Sequence, residues 1–175
     1  MDILRAPWRM DYIDSSNNEE SKKEKVEVNS ENIKTGCIFC DYATDDNDEE
    51  NLIIARGKCS YVIMNRYPYS VGHLLIIPYH HTSNFSSLSD KEMFEIFTFS
   101  QQSVSVLQKI MKADGFNIGM NLGRVAGAGI DSHLHLHVVP RWNGDNNFMS
   151  VTAETRVLPE ALSATHRKIL NAWKI

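Results

Sequence analysis

Three histidines alternate with apolar residues in the C-terminal third of the chain. His133, His135 and His137 are separated by Leu134 and Leu136. Successive side chains of a β-strand point to opposite faces, so the three imidazoles would share one face, about 6.6 Å apart. A neutral imidazole is both a nucleophile and a metal ligand, and this row can reach several oxygens of one polyphosphate. The pattern predicts chemistry on phosphate, with a His-x-His metal site or a plain polar strand face as the alternatives.

Two of the three cysteines form a second candidate site. Cys37 and Cys40 have Cys-x-x-Cys spacing, and two thiolates leave two positions of a zinc tetrahedron for histidines. The N-terminal sequence lacks the continuous apolar stretch of a signal peptide, which argues against a structural disulfide. A redox thiol pair and two unreacted buried cysteines remain alternatives. Cys59, at the start of a predicted strand, is expected to lie in the core.

Composition limits the class of protein. The chain has 175 residues, a hydrophobic share of 42%, a charged share of 23% and a net charge of −4. These values are typical of one soluble domain and offer no broad basic surface for a nucleic acid, although a local cationic pocket is compatible with them. We expect no contact with nucleic acid or membrane, and a cytoplasmic location. Residues 1–35 are predicted to be an N-terminal segment and mobile linker, because residues 14–35 are polar and charged, and residues 36–175 to be the folded domain.

The elements that would position the histidines and cysteines follow from local patterns. Ser89 and Glu92 have capping-box spacing and open a long helix with apolar residues at helical spacing through Met111. Pro159 is expected at the start of a last helix that ends near Trp173. Short runs rich in Ile, Val, Leu or Tyr predict strands at residues 52–55, 60–65, 73–78, 115–122 and 134–139. Strands in hairpin order around one long helix indicate an α+β fold with an antiparallel sheet.

The alternating histidines closely resemble the signature of the histidine triad (HIT) family. The resemblance runs from about Cys37 to Phe148 and includes Asn65-Arg66-Tyr67-Pro68, Gly72-His73-Leu74-Leu75-Ile76-Ile77-Pro78 and Asn121-Leu122-Gly123. Residues 140–149, which read PRWNGDNNFM, are similar to the branch of short diadenosine-polyphosphate phosphorylases and hydrolases, as is the start Ala6-Pro7-Trp8-Arg9. A HIT-like fold, with one long helix and a C-terminal helix, is what the resemblance implies.

The resemblance also implies roles for individual residues. The expected catalytic residues are His135 as nucleophile, with His133 and His137 holding phosphate oxygens and helping the leaving group. The expected substrate contacts are Asn65 at the ribose, His73 in support of the triad, Asn121, Ala128 and Gly129 at phosphate, and Trp142 at the base. A turn asparagine, a half-buried strand histidine and a core tryptophan are the plainer interpretations of Asn65, His73 and Trp142.

Position 129 departs from the family pattern. Many family members carry Gln or Ser near this position, where this sequence has Gly129. Gly129 has no side chain that could contact phosphate. The backbone N–H groups of residues 126–129, which carry no bulky side chains, are expected to supply the contact instead.

Zinc is the cofactor that the resemblance implies. By similarity to zinc-containing family members, the expected ligands are Cys37, Cys40, His81 and His133, with the adjacent His80 as a substitute for His81. If zinc binds His133, the catalytic role of that residue is reduced to orienting its neighbours. Magnesium is a further candidate that would accompany the substrate.

The leading functional hypothesis is cleavage of dinucleoside polyphosphates such as diadenosine tetraphosphate. His135 would transfer a nucleotidyl group to phosphate or water, and phosphate is the favoured acceptor because a positioned reactant has a large advantage. The alternatives are an adenosine phosphoramidate or aminoacyl-adenylate hydrolase, and a zinc-stabilised nucleotide-binding module without turnover. The family resemblance implies a homodimer.

Overall fold

The chain folds around one antiparallel sheet. The computed structural model describes residues 35–145 and 160–173, and five strands lie in the order β1-β2-β3-β5-β4. The elements are α1 (Ile38–Thr44), β1 (Ile53–Arg56), β2 (Ser60–Met64), β3 (Leu74–Pro78), α2 (Asp90–Met111), β4 (Gly115–Met120), β5 (Leu136–Arg141) and α3 (Leu162–Trp173), with short 3₁₀ helices at Phe85–Ser87 and Arg124–Ala126. The predicted α+β fold is confirmed. The N-terminal segment, Phe148 and Pro159 lie outside the described residues.

Strand β5 begins two residues later than predicted. It pairs with β3 through Leu136 opposite Ile76 and His137 opposite Leu75. Pro78, at the end of β3, has no N–H to extend the ladder, and the Leu134 amide donates instead to the Thr82 carbonyl at 2.8 Å. Only the third histidine of the triad is therefore in a paired strand, and the first two lie in the segment that leads into it.

Helix α2 begins as the sequence predicts. The Ser89 side chain accepts from the Glu92 amide, and the Glu92 carboxylate accepts from the Ser89 amide, which completes the capping box. The buried residues of α2 are Ile96, Ser100, Ser103, Val106 and Leu107, which recur at helical spacing and form its core-facing side. Two apolar residues of α2 lie off that side: Phe97 is 52% exposed and Phe94 is 77% exposed. No helix within residues 35–145 or 160–173 has the length and apolar character needed to cross a membrane.

The sheet has a different partner on each face. Leu136 and Val138 belong to a core cluster that includes Ile96 and Leu107 of α2 and Ile169 of α3. Side chains alternate along a strand, so His137 points to the other face. Its neighbour across the ladder, Leu75, belongs to a second cluster with Cys37 and Phe39 from the start of α1. The triad therefore faces α1, and the two longer helices support the sheet from behind.

Candidate active site and metal site

His135 presents a nitrogen lone pair. Its Nδ1 is 2.9 Å from the carbonyl oxygen of His133. A carbonyl oxygen can only accept, so in the neutral ring Nδ1 carries the proton and Nε2 keeps its lone pair. The residue is 7% exposed, and burial lowers the pKa of its imidazole. The ring is consequently neutral near pH 7, and Nε2 has the electronic form of a nucleophile.

The protonation of His73 is fixed by its neighbours. Its Nδ1 lies 3.1 Å from the amide nitrogen of Tyr69 and 3.3 Å from Nδ2 of Asn65. Both groups are donors, so Nδ1 of His73 accepts and the ring proton is on Nε2. His73 is completely buried, and the half-buried strand residue considered from sequence is therefore a core residue with a defined tautomer.

His137 accepts a hydrogen bond from His73. Nε2 of His73 is 2.9 Å from Nδ1 of His137. Because that Nδ1 accepts, the neutral His137 ring carries its proton on Nε2. Burial, with a smaller contribution from His135, lowers the pKa of His137 to about 4. His137 is therefore a neutral donor near pH 7.

The N–H group of His137 lies beside the proposed nucleophile His135. Its Nε2 is buried and has no hydrogen-bond partner among the described residues. The ring centroids of His135 and His137 are 4.9 Å apart. A buried donor without a hydrogen-bond partner lowers the free energy of unfolding by about 1–3 kcal/mol. A substrate oxygen bound at this position would accept the hydrogen bond and remove that cost. The pair offers a lone pair and an N–H group side by side.

Four predicted metal ligands converge at the start of α1. Cys37 is the N-cap of α1 and Cys40 lies within its first turn. One ligand atom from each of Cys37, Cys40, His81 and His133 lies within 4.8 Å of the other three. Sγ of Cys37 is 3.3 Å from Nδ1 of His133, and Sγ of Cys40 is 3.1 Å from Nδ1 of His81 and 3.6 Å from Nδ1 of His133. The structure brings together the full set that the sequence suggested.

The cluster fits a tetrahedral metal. Zinc bonds of about 2.3 Å to sulfur and about 2.1 Å to nitrogen give tetrahedral N···S edges of about 3.6 Å. The separations of 3.1, 3.3 and 3.6 Å are close to that value. Nε2 of His133 is 2.9 Å from the carbonyl oxygen of Pro78, so it donates there and Nδ1 offers its lone pair to the cluster. A backbone acceptor behind a histidine ligand is the usual arrangement at metal sites.

This geometry changes the role expected for His133. One ring nitrogen faces the cysteines and the other faces Pro78, so neither is left to hold a phosphate oxygen. His133 contributes to the triad through its main-chain carbonyl, which selects the tautomer of His135. The sequence-based expectation that His133 contacts phosphate is not met by this arrangement.

Cys40 is poorly suited to thiol chemistry without a cation. Burial and the neighbouring Cys37 raise the pKa of the Cys40 thiol to about 11, whereas reactive thiols have lowered pKa values. Two inert buried cysteines would not explain the convergence of two imidazoles on them. Mixed thiolate and imidazole ligands suit a borderline-soft divalent ion such as zinc.

The loop before the triad provides fewer free amides than predicted. The amides of residues 126–128 donate to the carbonyls of Gly123 and Arg124 at 2.9–3.4 Å. Of the four amides proposed to hold phosphate, only that of Gly129 has no backbone acceptor in the part of the chain that the structure describes. Ala128 is buried and Gly129 is exposed. The loop is thus organised by its own turn, and the predicted four-amide cradle is reduced to one position.

The two asparagines lie on either side of the triad. Oδ1 of Asn65 accepts from the Tyr67 amide at 2.9 Å, and its Nδ2 approaches His73. Nδ2 of Asn121 donates to the Gly127 carbonyl at 3.3 Å and ties the end of β4 to the loop. Asn65 is a turn residue, as the plainer interpretation proposed, and it also contacts His73; its contact with a ribose stays a prediction.

Trp142 lies apart from the histidines. It follows the last residue of β5, and its indole Nε1 donates to the Met111 carbonyl at the end of α2 at 3.2 Å. This contact satisfies the polar atom of a partly buried tryptophan. The structure does not bring Trp142 to the triad and agrees with the alternative of a packing residue.

One cavity among the described residues contains no member of the histidine triad. A space of about 470 Å³ between β1 and α3 is lined by Asp48, Glu49, Ile53, Ile54, Ala55, Arg56, His166, Arg167 and Leu170. Arg56 is bound there to Asp48 and to the carbonyls of Tyr42, Ala43 and Asp45. The cavity contains no residue of the metal cluster. The candidate site is therefore identified by the clustered histidines and cysteines and not by the size of a cavity.

Comparison with protein families agrees with the geometry of the triad. Residues 46–144, more than half of the chain, match the model described as HIT domain. The chain belongs to the HIT family. The resemblance drawn from the His133–His137 pattern is confirmed.

Relatives of this HIT protein carry different activities in their names. "AP-4-A phosphorylase" of Mycobacterium tuberculosis is 42% identical over 127 residues, which are 73% of this chain and 65% of that protein. "Adenosine 5'-monophosphoramidase HNT1" of Saccharomyces cerevisiae is 31% identical over 62% of this chain and 65% of that protein. The chain thus spans slightly less than two thirds of the length of these two curated relatives.

A solved structure shares the fold of this HIT protein. A Zn-bound histidine triad family protein from Mycobacterium smegmatis has a TM-score of 0.64 at 27% identity, over 79% of this chain and 93% of that chain. The likeness supports the HIT-like sheet and helices.

Two residues of the site were missed by sequence reasoning. The Phe39 ring lies 5.6 Å from His133 and 5.1 Å from His135, between centroids. The Tyr69 ring lies 4.7 Å from His73 and 5.7 Å from His137. Phe39 lies inside the Cys-x-x-Cys motif, and Tyr69 lies between the Asn65–Pro68 and Gly72–Pro78 segments, so their positions were the available signal. Neither residue type pointed to a contact with histidine.

Proposed function

We propose that this HIT protein cleaves dinucleoside polyphosphates, such as diadenosine tetraphosphate, by nucleotidyl transfer through Nε2 of His135. The observation that carries the proposal is the opposite protonation of two adjacent rings, a lone pair on His135 and an N–H group on His137. The name of the relative at 42% identity supports the same substrate class.

The first step follows from these two nitrogens. Nε2 of His135 attacks the α-phosphorus, an N–P bond forms, and the P–O bond to the remaining polyphosphate breaks. The electron pair of that bond leaves on the departing nucleotide, and Nε2–H of His137 donates to an oxygen on which negative charge develops. The His135 ring becomes cationic, and the His133 carbonyl at Nδ1 stabilises that charge.

The second step transfers the nucleotidyl group to an acceptor. The acceptor oxygen attacks the same phosphorus, the N–P bond breaks, and Nε2 of His135 recovers its lone pair. Water must lose a proton in this step, whereas a phosphate dianion attacks through an oxygen that carries none. We favour phosphate, which gives ADP and ATP, and the Gly129 amide is the candidate backbone donor for it.

The proposed accessory groups have separate roles. Zinc at Cys37, Cys40, His81 and His133 would fix the carbonyl that orients His135, and it takes no part in bond making. Magnesium would accompany the substrate phosphates and reduce their charge. A homodimer and a cytoplasmic location are further proposals, the first from the family and the second from a cysteine pair that converges with two histidines and suits metal binding more than a structural disulfide.

Product analysis tests the function. Purified protein is incubated with diadenosine tetraphosphate at rising phosphate concentration, and adenosine 5′-phosphoramidate is assayed in parallel. We expect ATP with ADP, and a rate that rises with phosphate. ATP with AMP at a rate independent of phosphate would make water the acceptor. Turnover of the phosphoramidate alone would support the activity named for the yeast relative, and no turnover of either would support a binding module.

A further inference from the structure

A half-exposed aromatic ring covers the donor histidine. The rings of Tyr69 and His137 are stacked, with centroids 5.7 Å apart and planes 13° apart. Tyr69 is 49% exposed, so one part of the residue packs on His137 and another meets solvent. Its main-chain amide also donates to Nδ1 of His73. The main chain of Tyr69 is thus tied to His73, and its ring packs on His137, the residue proposed to donate to the leaving oxygen.

The opposite side of His137 has no bulky neighbour. Its partner on β4 is Gly119, and a Cβ atom added to that glycine would meet no heavy atom within 4 Å. Side chains directly opposite in a ladder share a face of the sheet. The lack of a side chain at Gly119 leaves room for a polyphosphate to pass His137, between the ring of Tyr69 and the backbone of β4.

We propose that Tyr69 is a specificity-determining residue on which the second base of a dinucleotide stacks. The inference rests on the proposed function, because His137 marks the side from which the second nucleotide leaves. The flexible polyphosphate allows that base to fold back onto the ring. Stacking on an aromatic side chain is tolerant of base identity, so Tyr69 selects for the presence of a second base, not for its type. A substrate with a small leaving group gains nothing from this contact.

Two substrates separate stacking from positioning. Diadenosine tetraphosphate and adenosine 5′-tetraphosphate have the same phosphate chain, and only the first has a second nucleoside. We expect Tyr69→Ala to lower kcat/KM for diadenosine tetraphosphate about ten- to hundredfold, the loss typical of one base-stacking aromatic. For adenosine 5′-tetraphosphate we expect a fall of less than about threefold on the same scale.

Matched variants complete the experiment. Tyr69→Phe keeps the ring and should behave as wild type. Tyr69→Leu keeps an apolar cover on His137, should repeat the selective loss, and replaces the alanine variant if that protein does not fold. Phe94→Ala removes an exposed aromatic from α2 and should affect neither substrate.

The outcomes are distinguishable. Equal losses for both substrates in Tyr69→Ala and Tyr69→Leu would show that Tyr69 only positions His137 and would overturn the proposal. Unchanged kcat/KM for diadenosine tetraphosphate would overturn it as well. A wild-type protein that cleaves both substrates with the same kcat/KM would refute selection by a second base while leaving the proposed function intact. A wild-type protein that cleaves neither would reject the proposed function, and this inference with it.

Discussion

Replacing His73 by leucine should disable His137 without touching the nucleophile. His73 is completely buried, and its Nε2–H donates to Nδ1 of His137 at 2.9 Å. Leucine removes that donor, so a buried nitrogen loses its partner at a cost of about 1–3 kcal/mol in unfolding free energy. The His137 proton is then free to move to Nδ1, which removes the donor at the leaving oxygen. Losing one such donor lowers kcat by about 10²–10³-fold.

The assay compares two buried histidines. Steady-state kcat with diadenosine tetraphosphate and the free energy of unfolding are measured for His73→Leu, His73→Gln and His166→Leu. Glutamine retains an N–H donor and should recover part of the activity. His166 is also buried, and its Nε2 is 3.0 Å from the Ile53 carbonyl, away from the triad, so its replacement should lower stability but leave kcat unchanged. If His73→Leu retains more than a third of wild-type kcat, the donor role assigned to His137 through its hydrogen bond with His73 is wrong.

Three further predictions follow from the site. His135→Ala should lower kcat by several orders of magnitude in a folded protein, because only positioning remains; retention of about a tenth of the activity would exclude a covalent step through that residue. Elemental analysis should find one zinc per chain. The double variant Cys37→Ser, Cys40→Ser should lose the zinc and part of its thermal stability, whereas Cys59→Ser should keep both. A wild-type protein that is prepared without chelators and contains no zinc would contradict this. The pKa of His137 is lowered to about 4 in the folded protein, whereas an unfolded histidine titrates near about 6.5. As the pH falls from about 6.5 to 4, His137 is protonated in the unfolded chain before it is protonated in the folded protein. The free energy of unfolding should therefore fall by at most about 3 kcal/mol over this range. When the free energy of unfolding is measured against pH, this loss should be smaller in His137→Asn than in the wild type. Identical curves for the two proteins would refute the lowered pKa assigned to His137.

Much of the architecture was predictable from local sequence. The Ser89–Glu92 capping box marks the start of α2 because both of its hydrogen bonds form within one turn. Strand β2 was predicted within one residue, since its short apolar run is bounded by turn residues. The spacing from His133 to His137 carried the resemblance to the HIT family, and the Cys37–Cys40 pair indicated two metal ligands; His81 and His133 were added as ligands by the family resemblance. Each of these signals lies within a few residues along the chain.

The hydrogen-bond role of each histidine was decided by tertiary contacts. His133 bonds to Pro78 and Cys37, which are 55 and 96 residues away in sequence, and His137 bonds to His73, 64 residues away. The motif sets the spacing of the three imidazoles but not the hydrogen-bond partner of each. Which nitrogen keeps a lone pair depends on the donor or acceptor that each ring meets after β3 and β5 have paired and α1 has packed against them. The sequence therefore determined the family and the candidate residues, and the fold assigned each nitrogen its proton because hydrogen-bond partners are set in space, not along the chain.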